Sequence, residues 1–341
     1  MLNETAIVIL NWNGKSFLER FLPSVIRTAN GAQVIVADNA STDDSVSYLK
    51  ANFPEIHIIQ NSSNGGFAKG YNEALKQVDA EYYVLLNSDI EPEENWLQPL
   101  LEVMKDETVA GCQPKVLAYN QKTHFEHAGA SGGFMDINYF PFCRGRILTS
   151  VEEDQGQYDG QHEIFWATGA CLMIRANCFH EVEGFDEDFF AHMEEIDLCW
   201  RLKRKNYRFL VEPKSIVYHV GGGTLPYNSP RKTFLNFRNS LFMLTKNHQG
   251  VLFPKLVWRM VIDGVAAISF LAKGEFKQFG AVFKAHGAFY RKLGSFLKKR
   301  KALKKSSSTF NQAGLFRGNL LWNYYVKGVK KYSNLNKRLF H

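Results

Sequence analysis

Cysteine is scarce in this 341-residue sequence, and none of its five cysteines forms a CxxC pair with another. Because five is an odd number, at least one thiol has no partner in any disulfide scheme. Both features argue against a disulfide framework and against a zinc site, and they favour reduced thiols in the cytosol. The first residues, MLNETAIVIL, lack a basic segment followed by a long apolar stretch. We therefore expect no signal peptide.

Acidic residues are nearly absent from the last quarter of the chain. Residues 251–341 contain 19 Lys and Arg but only two acids, which gives this segment a charge of +17, whereas the rest carries −10. Its longest stretch without Lys or Arg, Met260 to Ala272, is 13 residues long and contains Asp263. Crossing a bilayer takes about 20 apolar residues, so we expect no membrane span here.

The same segment intersperses aromatic and aliphatic residues with lysines and arginines. This pattern is typical of a basic amphipathic helix that lies on an anionic membrane surface. The alternative is a helical cap that packs on the core and exposes a solvated basic face. Nucleic-acid binding is a third interpretation, but nothing here resembles a recognition module, so we expect no nucleic-acid partner.

Short apolar runs alternate with helical patterns over the first 120 residues. The runs TAIVILN, QVIVAD, IHIIQN and YYVLLN are each followed by a stretch of helical period. Apolar strands separated by helices predict an α/β fold with a doubly wound, mostly parallel sheet covered on both faces. From Ser229 onward the pattern is helical. We expect an α/β domain over residues 1–248 and a helical, basic extension over residues 249–341.

Polar clusters follow four of the predicted strands: NWNG, ADNASTD, QNSSNGGF and NSD. The carboxyl ends of such strands border the ligand crevice, so the four clusters together predict a binding site. Asp38 could bind a base or ribose, or it could form an Asx-turn. Asn64 and Gly66 precede a helix whose N–H groups could face an anion. Asp89 could hold a divalent cation that neutralises a diphosphate.

A second acidic stretch, HMEEIDLCWR, contains Glu194, Glu195 and Asp197. These acids suit a helix start, and Asp197 with Arg201 is an ordinary i,i+4 pair. The apolar residues before them could instead keep a carboxylate basic by partial desolvation, as a general base requires. His219 ends another strand, where it is either an edge residue or a second ligand of a cation at Asp89.

Two common enzyme motifs are missing from the sequence. The first strand is not followed by GxGxxG, which argues against a dinucleotide site. No Ser or Cys sits in a nucleophile elbow, so we see no enzyme nucleophile.

Seven motifs occur in the order and spacing of the family-2 inverting glycosyltransferases, and the chain most resembles their rhamnosyltransferase-like branch. The motifs are IVILNWNG, VADNASTDDS, NGGFAKGYNEAL, LLNSD, TGACLMIR, GFDEDFFAHMEEIDLCWR and VYHVGG. The resemblance runs from about Thr5 to Asn239. It implies a GT-A fold, a nucleotide-diphosphate sugar donor and a Mg²⁺ or Mn²⁺ ion.

The resemblance also implies roles for individual residues. They are Asn11, Asp38, Asn64, Gly66 and Ser88 for the donor nucleotide; Asp89 and His219 for the metal; Glu195, with Glu194 and Asp197 beside it, for catalysis; and Arg175, Arg201, Trp166 and Gly169 for the diphosphate and acceptor. Relatives usually have Asp as the base, so the longer Glu leaves open whether Glu194 or Glu195 acts. The metal-binding motif has Asn87 at its first position. NFRN, Asn236 to Asn239, resembles a motif of the branch without an assigned role.

The implied reaction is direct displacement, in which Glu195 deprotonates an acceptor hydroxyl. The acceptor would be a saccharide or a polyprenyl-linked sugar, in cell-surface polysaccharide synthesis at the inner face of the cytoplasmic membrane. A nucleotidyltransferase is an alternative, but it would need a basic glycine-rich loop, for which NWNGKSF is a poor match. A noncatalytic nucleotide or carbohydrate binder is another, and the set Asp38, Asp89, Glu195 and His219 argues against it.

Overall fold

The computed structural model describes residues 1–221, 229–306 and 310–341. Strands and helices alternate through the first third of the chain, because each apolar run is buried as a strand and each periodic stretch covers it as a helix. The elements are β1 (Thr5–Asn11), α1 (Lys15–Thr28), β2 (Gln33–Asp38), α2 (Ser45–Asn52), β3 (His57–Gln60), α3 (Gly66–Leu75), β4 (Tyr82–Asn87), β5 (Ile90–Pro92), α4 (Leu97–Val103) and β6 (Val109–Ala118).

The middle of the chain consists mainly of short strands. They and the intervening helices are β7 (Gln121–Phe125), β8 (Gly133–Asp136), β9 (Pro141–Cys143), β10 (Arg146–Ile147), β11 (Ser150–Val151), β12 (His162–Ile164), β13 (Cys171–Arg175), α5 (Ala176–Glu181), α6 (Glu194–Lys203) and β14 (Arg208–His219).

Helices dominate the remainder up to Ser306. They are α7 (Pro230–Asn247), α8 (Leu252–Ala272) and α9 (Phe276–Ser306), followed by one short strand, β15 (Leu315–Phe316). Helix α7 begins where Ser229 accepts a hydrogen bond from the Lys232 N–H and Pro230 occupies the first turn, which is a normal helix start.

The main sheet has the order β12-β14-β6-β13-β4-β1-β2-β3. Strands β3, β2, β1 and β4 are parallel, as the sequence predicts. The other half is mixed, because β13 runs antiparallel to both β4 and β6. Strand β14 is parallel to β6, so the carboxyl ends of β14 and β4 lie at the same edge. This mixed α/β architecture is the GT-A fold expected for the chain.

Side chains from the two faces of the main sheet belong to two separate core clusters. In β1, Ala6 and Val8 belong to one cluster, whereas Ile7 and Ile9 belong to the other. The alternation follows from the two-residue period of a strand and confirms a sheet covered on both faces.

The C-terminal segment is part of the same core. The rings of Phe296 on α9 and Phe242 on α7 stack with centroids 4.0 Å apart. Strand β15 pairs with β8 and completes a second, five-stranded sheet. After Ser306 the described part of the extension contains β15 and three short 3-10 or π segments, so its long helices end at Ser306. Across the described residues, no helix is long and apolar enough to cross a membrane.

Candidate active site

The register of the parallel strands brings the predicted polar residues to one edge of the sheet. Asn11 at the end of β1 is opposite Asp38 at the end of β2, and Leu10 is opposite Asn87 at the end of β4. Each strand must end where its buried apolar run ends, so the polar residues that follow line the same crevice.

Asp38 is held in a buried hydrogen-bond network. One carboxylate oxygen accepts from the Asn11 side-chain amide at 3.0 Å, and the other accepts from the Ser41 N–H at 2.9 Å. The Asp38 carboxylate thus also bonds its own following loop, but three residues on, where an Asx-turn would bond the N–H two residues on. Asn11 itself is fully buried, and its Oδ1 has no hydrogen-bond partner. Ser88 lies beside this pair, close to Asn11 and Gly14.

Two of the N–H groups at the start of α3 already have partners within the protein, so they are not free to bind an anion as expected from Asn64 and Gly66. The Gly66 N–H donates to Asn64 Oδ1 at 2.9 Å, and the Ala68 N–H donates to the Phe190 carbonyl at 3.2 Å. Gly66 has φ +80°, and a Cβ there would lie 2.4 Å from the Phe190 oxygen. The glycine therefore admits the loop before α6, and that loop occupies the helix start.

Asp89 and His219 meet because β5 pairs with the end of β14, which places Ile90 opposite His219. Asp89 Oδ1 lies 3.1 Å from His219 Nε2, and Glu126 Oε2 lies 3.3 Å from His219 Nδ1. All three side chains are buried. The Asn87 side chain also contacts His219 Nε2, at 3.3 Å. No sequence pattern predicted a role for Glu126.

The electrostatics of this corner suit a divalent cation. Burial lowers the pKa of His219, but the carboxylates of Asp89 and Glu126 outweigh burial and raise that pKa to about 10. Such a strong preference for a cation indicates a negative potential. Among the described residues, no three His, Cys, Asp or Glu side chains are arranged to hold a metal alone. One carboxylate and one imidazole still fit an ion that takes its other ligands from a diphosphate.

The loop from Phe189 to Met193 precedes α6 and sets the position of Glu194 and Glu195. Phe190, His192 and Met193 all have φ near +70°. Non-glycine residues persist in this conformation only where their surroundings hold them there. Here the Asn239 amide contacts the carbonyls of Phe189, Ala191 and His192 at 2.7–2.9 Å. Arg238 donates to the carbonyls of Asp188 and Phe189.

This arrangement gives the NFRN motif a structural role that the sequence did not. Helix α7, which lies outside the main sheet, fixes the loop that precedes Glu194 and Glu195.

Glu194 and Glu195 each have an Oε2 atom that is buried without a hydrogen-bond partner. Burial raises the pKa of Glu194 well above its ordinary value, and the Glu195 carboxylate raises it further. Burial also raises the pKa of Glu195, to about 7. Glu194 is 4% exposed, whereas Glu195 is partly exposed. Glu195 is therefore the better placed of the two to take a proton from a bound molecule.

Asp197 and Arg201 are structural, which corrects their expected roles in catalysis and acceptor binding. Asp197 is fully buried and accepts from Arg201, Lys246 and Asn247 at 2.7–2.8 Å. Arg201 also donates to the carbonyls of Val182 and Gly184. The pair anchors α6 to α7 and to the preceding turn, so the i,i+4 interpretation is the correct one.

Arg175 is also wrong as a site residue, whereas the role of Trp166 stays a prediction. Arg175 is opposite Tyr82, at the start of β4, because β13 runs antiparallel; this puts Arg175 at the far edge of the sheet. There it donates to the carbonyls of Val109 and Asp106. Trp166 is buried, and its indole N–H donates to the Phe134 carbonyl at 3.0 Å.

Gly169 does lie at the site edge, where a Cβ would approach the Phe67 ring.

Lys232, near the start of α7, connects the two halves of the site. Burial and, after it, the charge of Lys232 lower the pKa of His192 to about 4. Burial also lowers the pKa of Lys232, and the Glu126 carboxylate offsets part of that effect. The metal corner and the loop before α6 are thus within electrostatic range of one lysine. His192 Nε2 is another buried atom without a hydrogen-bond partner.

The crevice, its paired Asp and His and its adjacent basic carboxylate define an enzyme of the GT-A class. The family model described as Glycosyl transferase family 2 matches residues 6–182, which is more than half of the chain. The chain belongs to this family. It is a glycosyltransferase that uses a nucleotide-sugar donor.

A curated relative supports the same assignment. N-acetylglucosaminyl-diphospho-decaprenol L-rhamnosyltransferase of Mycobacterium tuberculosis (strain ATCC 25618 / H37Rv) is 22% identical over 276 residues, covering 76% of this chain and 90% of the relative.

Two solved structures share the fold. A mannosyltransferase from Pyrobaculum calidifontis in complex with GDP-Man and Mn²⁺ matches with a TM-score of 0.53 and 13% identity, covering 88% of this chain and 84% of that one. GalNAc-T7 with UDP, GalNAc and Mn²⁺ matches with a TM-score of 0.54 and 17% identity, covering 71% of this chain and 47% of that one. Both relatives were crystallised with a divalent metal.

Proposed function

We propose that this protein is a metal-dependent, inverting hexosyltransferase in which Glu195 is the general base. The observation that carries the proposal is Glu195, near the start of α6: the residue is partly exposed, one of its carboxylate oxygens is buried without a hydrogen-bond partner, and burial raises its pKa to about 7. A base with this pKa is half ionised near neutral pH and can accept a proton from a sugar hydroxyl.

Each residue of the site has a separate proposed role. Glu195 takes the proton of the acceptor hydroxyl as that oxygen attacks the anomeric carbon of the donor, opposite the departing nucleoside diphosphate. Asn11 and Asp38 form the corner that receives the nucleoside, with Ser88 beside it. Glu194 is more deeply buried than Glu195 and remains protonated at higher pH. No covalent intermediate on the enzyme is required, because displacement occurs in a single step.

Asp89 and His219 are the residues that would hold Mg²⁺ or Mn²⁺. When bound, the ion neutralises the charge of the departing diphosphate. Glu126 contacts Nδ1 of His219, on the side of the ring away from Asp89, and fixes the orientation of the ring, which is the usual role of a group behind a metal-binding histidine.

The proposal extends to the donor, the acceptor and the location. The Mycobacterium relative is named for transfer of L-rhamnose to a diphospho-decaprenol acceptor, which supports a rhamnosyl or other hexosyl donor and a lipid-linked saccharide acceptor. dTDP-rhamnose and UDP-sugars both suit a corner built on Asp38. All five cysteines are unpaired and buried, which supports a reducing, cytoplasmic setting.

The test is donor binding by calorimetry across UDP-, dTDP- and GDP-sugars, with Mn²⁺ and then with EDTA. We expect one donor to bind in a metal-dependent way, and Asp89→Ala to lose the metal-dependent part. Asp44→Ala is the control, because Asp44 is an exposed acid near the same sheet edge. Equal donor and Mn²⁺ affinity in Asp89→Ala and the parent would overturn the metal assignment.

A further inference from the structure

Helix α8 has the opposite distribution of polarity from a solvated surface helix. Its two charged residues between Leu256 and Ala272 are buried: Arg259 is 7% exposed and Asp263 is 1% exposed. The outward face of the same stretch carries no charge. Its exposed large residues are Val257, Trp258, Val261, Val265, Ile268 and Leu271, with exposures of 42–64%.

The buried charges explain how this orientation is held. Arg259 Nε donates to Asp263 Oδ1 at 2.8 Å, and His286 of α9 contacts Asp263 Oδ2 at 3.1 Å. The Arg259 guanidinium lies 4.3 Å above the Phe140 ring. These contacts attach the polar side of α8 to α9 and to the core, so the apolar side must face outward. Seventeen helical residues extend this side over about 25 Å.

Helix α9 continues the surface with a seven-residue repeat. Phe276, Phe283, Tyr290 and Leu297 are exposed apolar residues at this spacing. Each is followed by an exposed basic residue: Lys277, Lys284, Arg291 and Lys298. The Tyr290 hydroxyl reaches the Met260 sulfur of α8 at 3.3 Å, so the two exposed faces adjoin. We call the combined exposed surface the α8–α9 face.

We propose that the α8–α9 face docks on an anionic lipid bilayer. An uncharged apolar strip beside a row of basic residues fits the boundary between acyl chains and anionic headgroups. A second copy of this chain would bring the two rows of basic residues together, and their repulsion opposes such pairing. The apolar strip lies parallel to the surface and does not span it.

Removing the whole extension does not test this proposal, because Phe289, Phe296 and Phe316 belong to the core. The better variant is Val265→Glu with Ile268→Glu, which places two charges on the exposed strip only. Its control is Ser47→Glu with Ala51→Glu, which adds the same charge to exposed positions of α2. Circular dichroism checks that both variants remain folded.

Binding is measured by sedimentation with phosphatidylcholine vesicles, with and without phosphatidylglycerol. We expect the parent and the α2 control to bind the anionic vesicles, and the α8 variant to bind them at least tenfold more weakly. Replacing Lys277, Lys284, Arg291 and Lys298 with Gln should remove the preference for anionic vesicles. The proposal is overturned if the parent stays in solution, if the α8 variant binds equally well, or if the face proves to hold a dimer that the α8 variant disperses. None of these readouts depends on glycosyl transfer.

Discussion

Glu194 and Glu195 are neighbours in sequence but differ in exposure. Glu194 is almost fully buried, and the Glu195 carboxylate raises its pKa further, whereas Glu195 is partly exposed. Different surroundings can push two nearby carboxyl groups to different pKa values. The difference in exposure is the reason that we propose Glu195, and not Glu194, as the base.

Glu195→Gln should therefore reduce kcat by roughly 10²- to 10⁴-fold, because the amide cannot accept the proton of the acceptor hydroxyl. Donor binding should stay unchanged. In the parent, kcat/KM should rise as the pH rises through about 7, as the carboxyl group ionises. Steady-state kinetics over a pH series provides the measurement.

Glu194→Gln is the matched variant, and it should retain more than a tenth of the parent kcat. A reversed order, with Glu194→Gln inactive and Glu195→Gln active, would move the base by one residue.

The raised pKa values also predict how stability depends on pH. Burial raises the folded-state pKa of Glu195 from 4.5 to about 7, so the folded state binds the proton more tightly than the unfolded state. Stability must then fall as the pH rises from about 4.5 to about 7. Glu195→Gln removes this cost. Thermal melts should show a higher Tm for the variant than for the parent at pH 8, with the difference vanishing near pH 4. A Tm difference independent of pH would contradict this account.

At the scale of elements, α7 holds the loop that precedes α6 and its proposed base. The Asn239 amide contacts three loop carbonyls, in a loop where three of the four residues Phe190–Met193 have positive φ. On the other side, Gly66 at the start of α3 provides the space into which Phe190 fits. A loop fixed from two elements keeps its strained conformation, and α6 therefore begins at a defined place.

Asn239→Ala should lower kcat by at least tenfold without weakening donor binding, because the loop loses its main donor while the nucleotide corner stays intact. Asn236→Ala, one turn earlier on the same helix, is the control and should behave like the parent. Kinetics and donor calorimetry on both variants separate the two effects. If Asn239→Ala weakens donor binding as much as turnover, its role extends beyond positioning of the loop.

At the scale of the whole molecule, the C-terminal helix α9 reaches back to the catalytic segment. Lys299 Nζ bonds Asp186 at 2.6 Å and Asp188 at 2.8 Å, and Lys246 of α7 bonds Asp186 at 2.7 Å. Burial raises the pKa of Asp186, but the two lysines outweigh burial and hold this pKa well below its ordinary value. Helix α9 and the loop before α6 thus belong to one packed unit.

Lys299→Ala should destabilise the fold by about 1 kcal/mol and should lower turnover on a soluble acceptor, because it releases Asp186 and Asp188. Lys298→Ala is an adjacent control: its exposed side chain belongs to the α8–α9 face, so it should weaken vesicle binding while stability and soluble turnover stay as in the parent. Urea unfolding, kinetics and vesicle sedimentation on the two variants check this separation. Identical behaviour of the two variants in all three assays would contradict it.

Local patterns were enough to predict several parts of this protein. Apolar runs such as VIVAD form buried strands whatever the rest of the sequence contains. The polar residues that follow these strands then lie at the edge of the sheet. For this reason Asp38 and Asp89 were placed at the crevice from the sequence, and residues 260–272 were recognised as too short to cross a membrane.

Other features depend on which distant segments meet. Arg175 lies at the wrong edge because β13 runs antiparallel, and strand direction is not encoded in the strand's own residues. Asp197 is neutralised by Lys246, a residue 49 positions away, whereas Glu195 meets no such cation within the described residues. The contact between Asp263 and His286 of the next helix decided which face of α8 is buried. The sequence by itself determined the strands, the crevice edge and the family; the tertiary structure decided which carboxylates are enclosed or ion-paired and which face of α8 is exposed, because burial and pairing arise only when the chain packs.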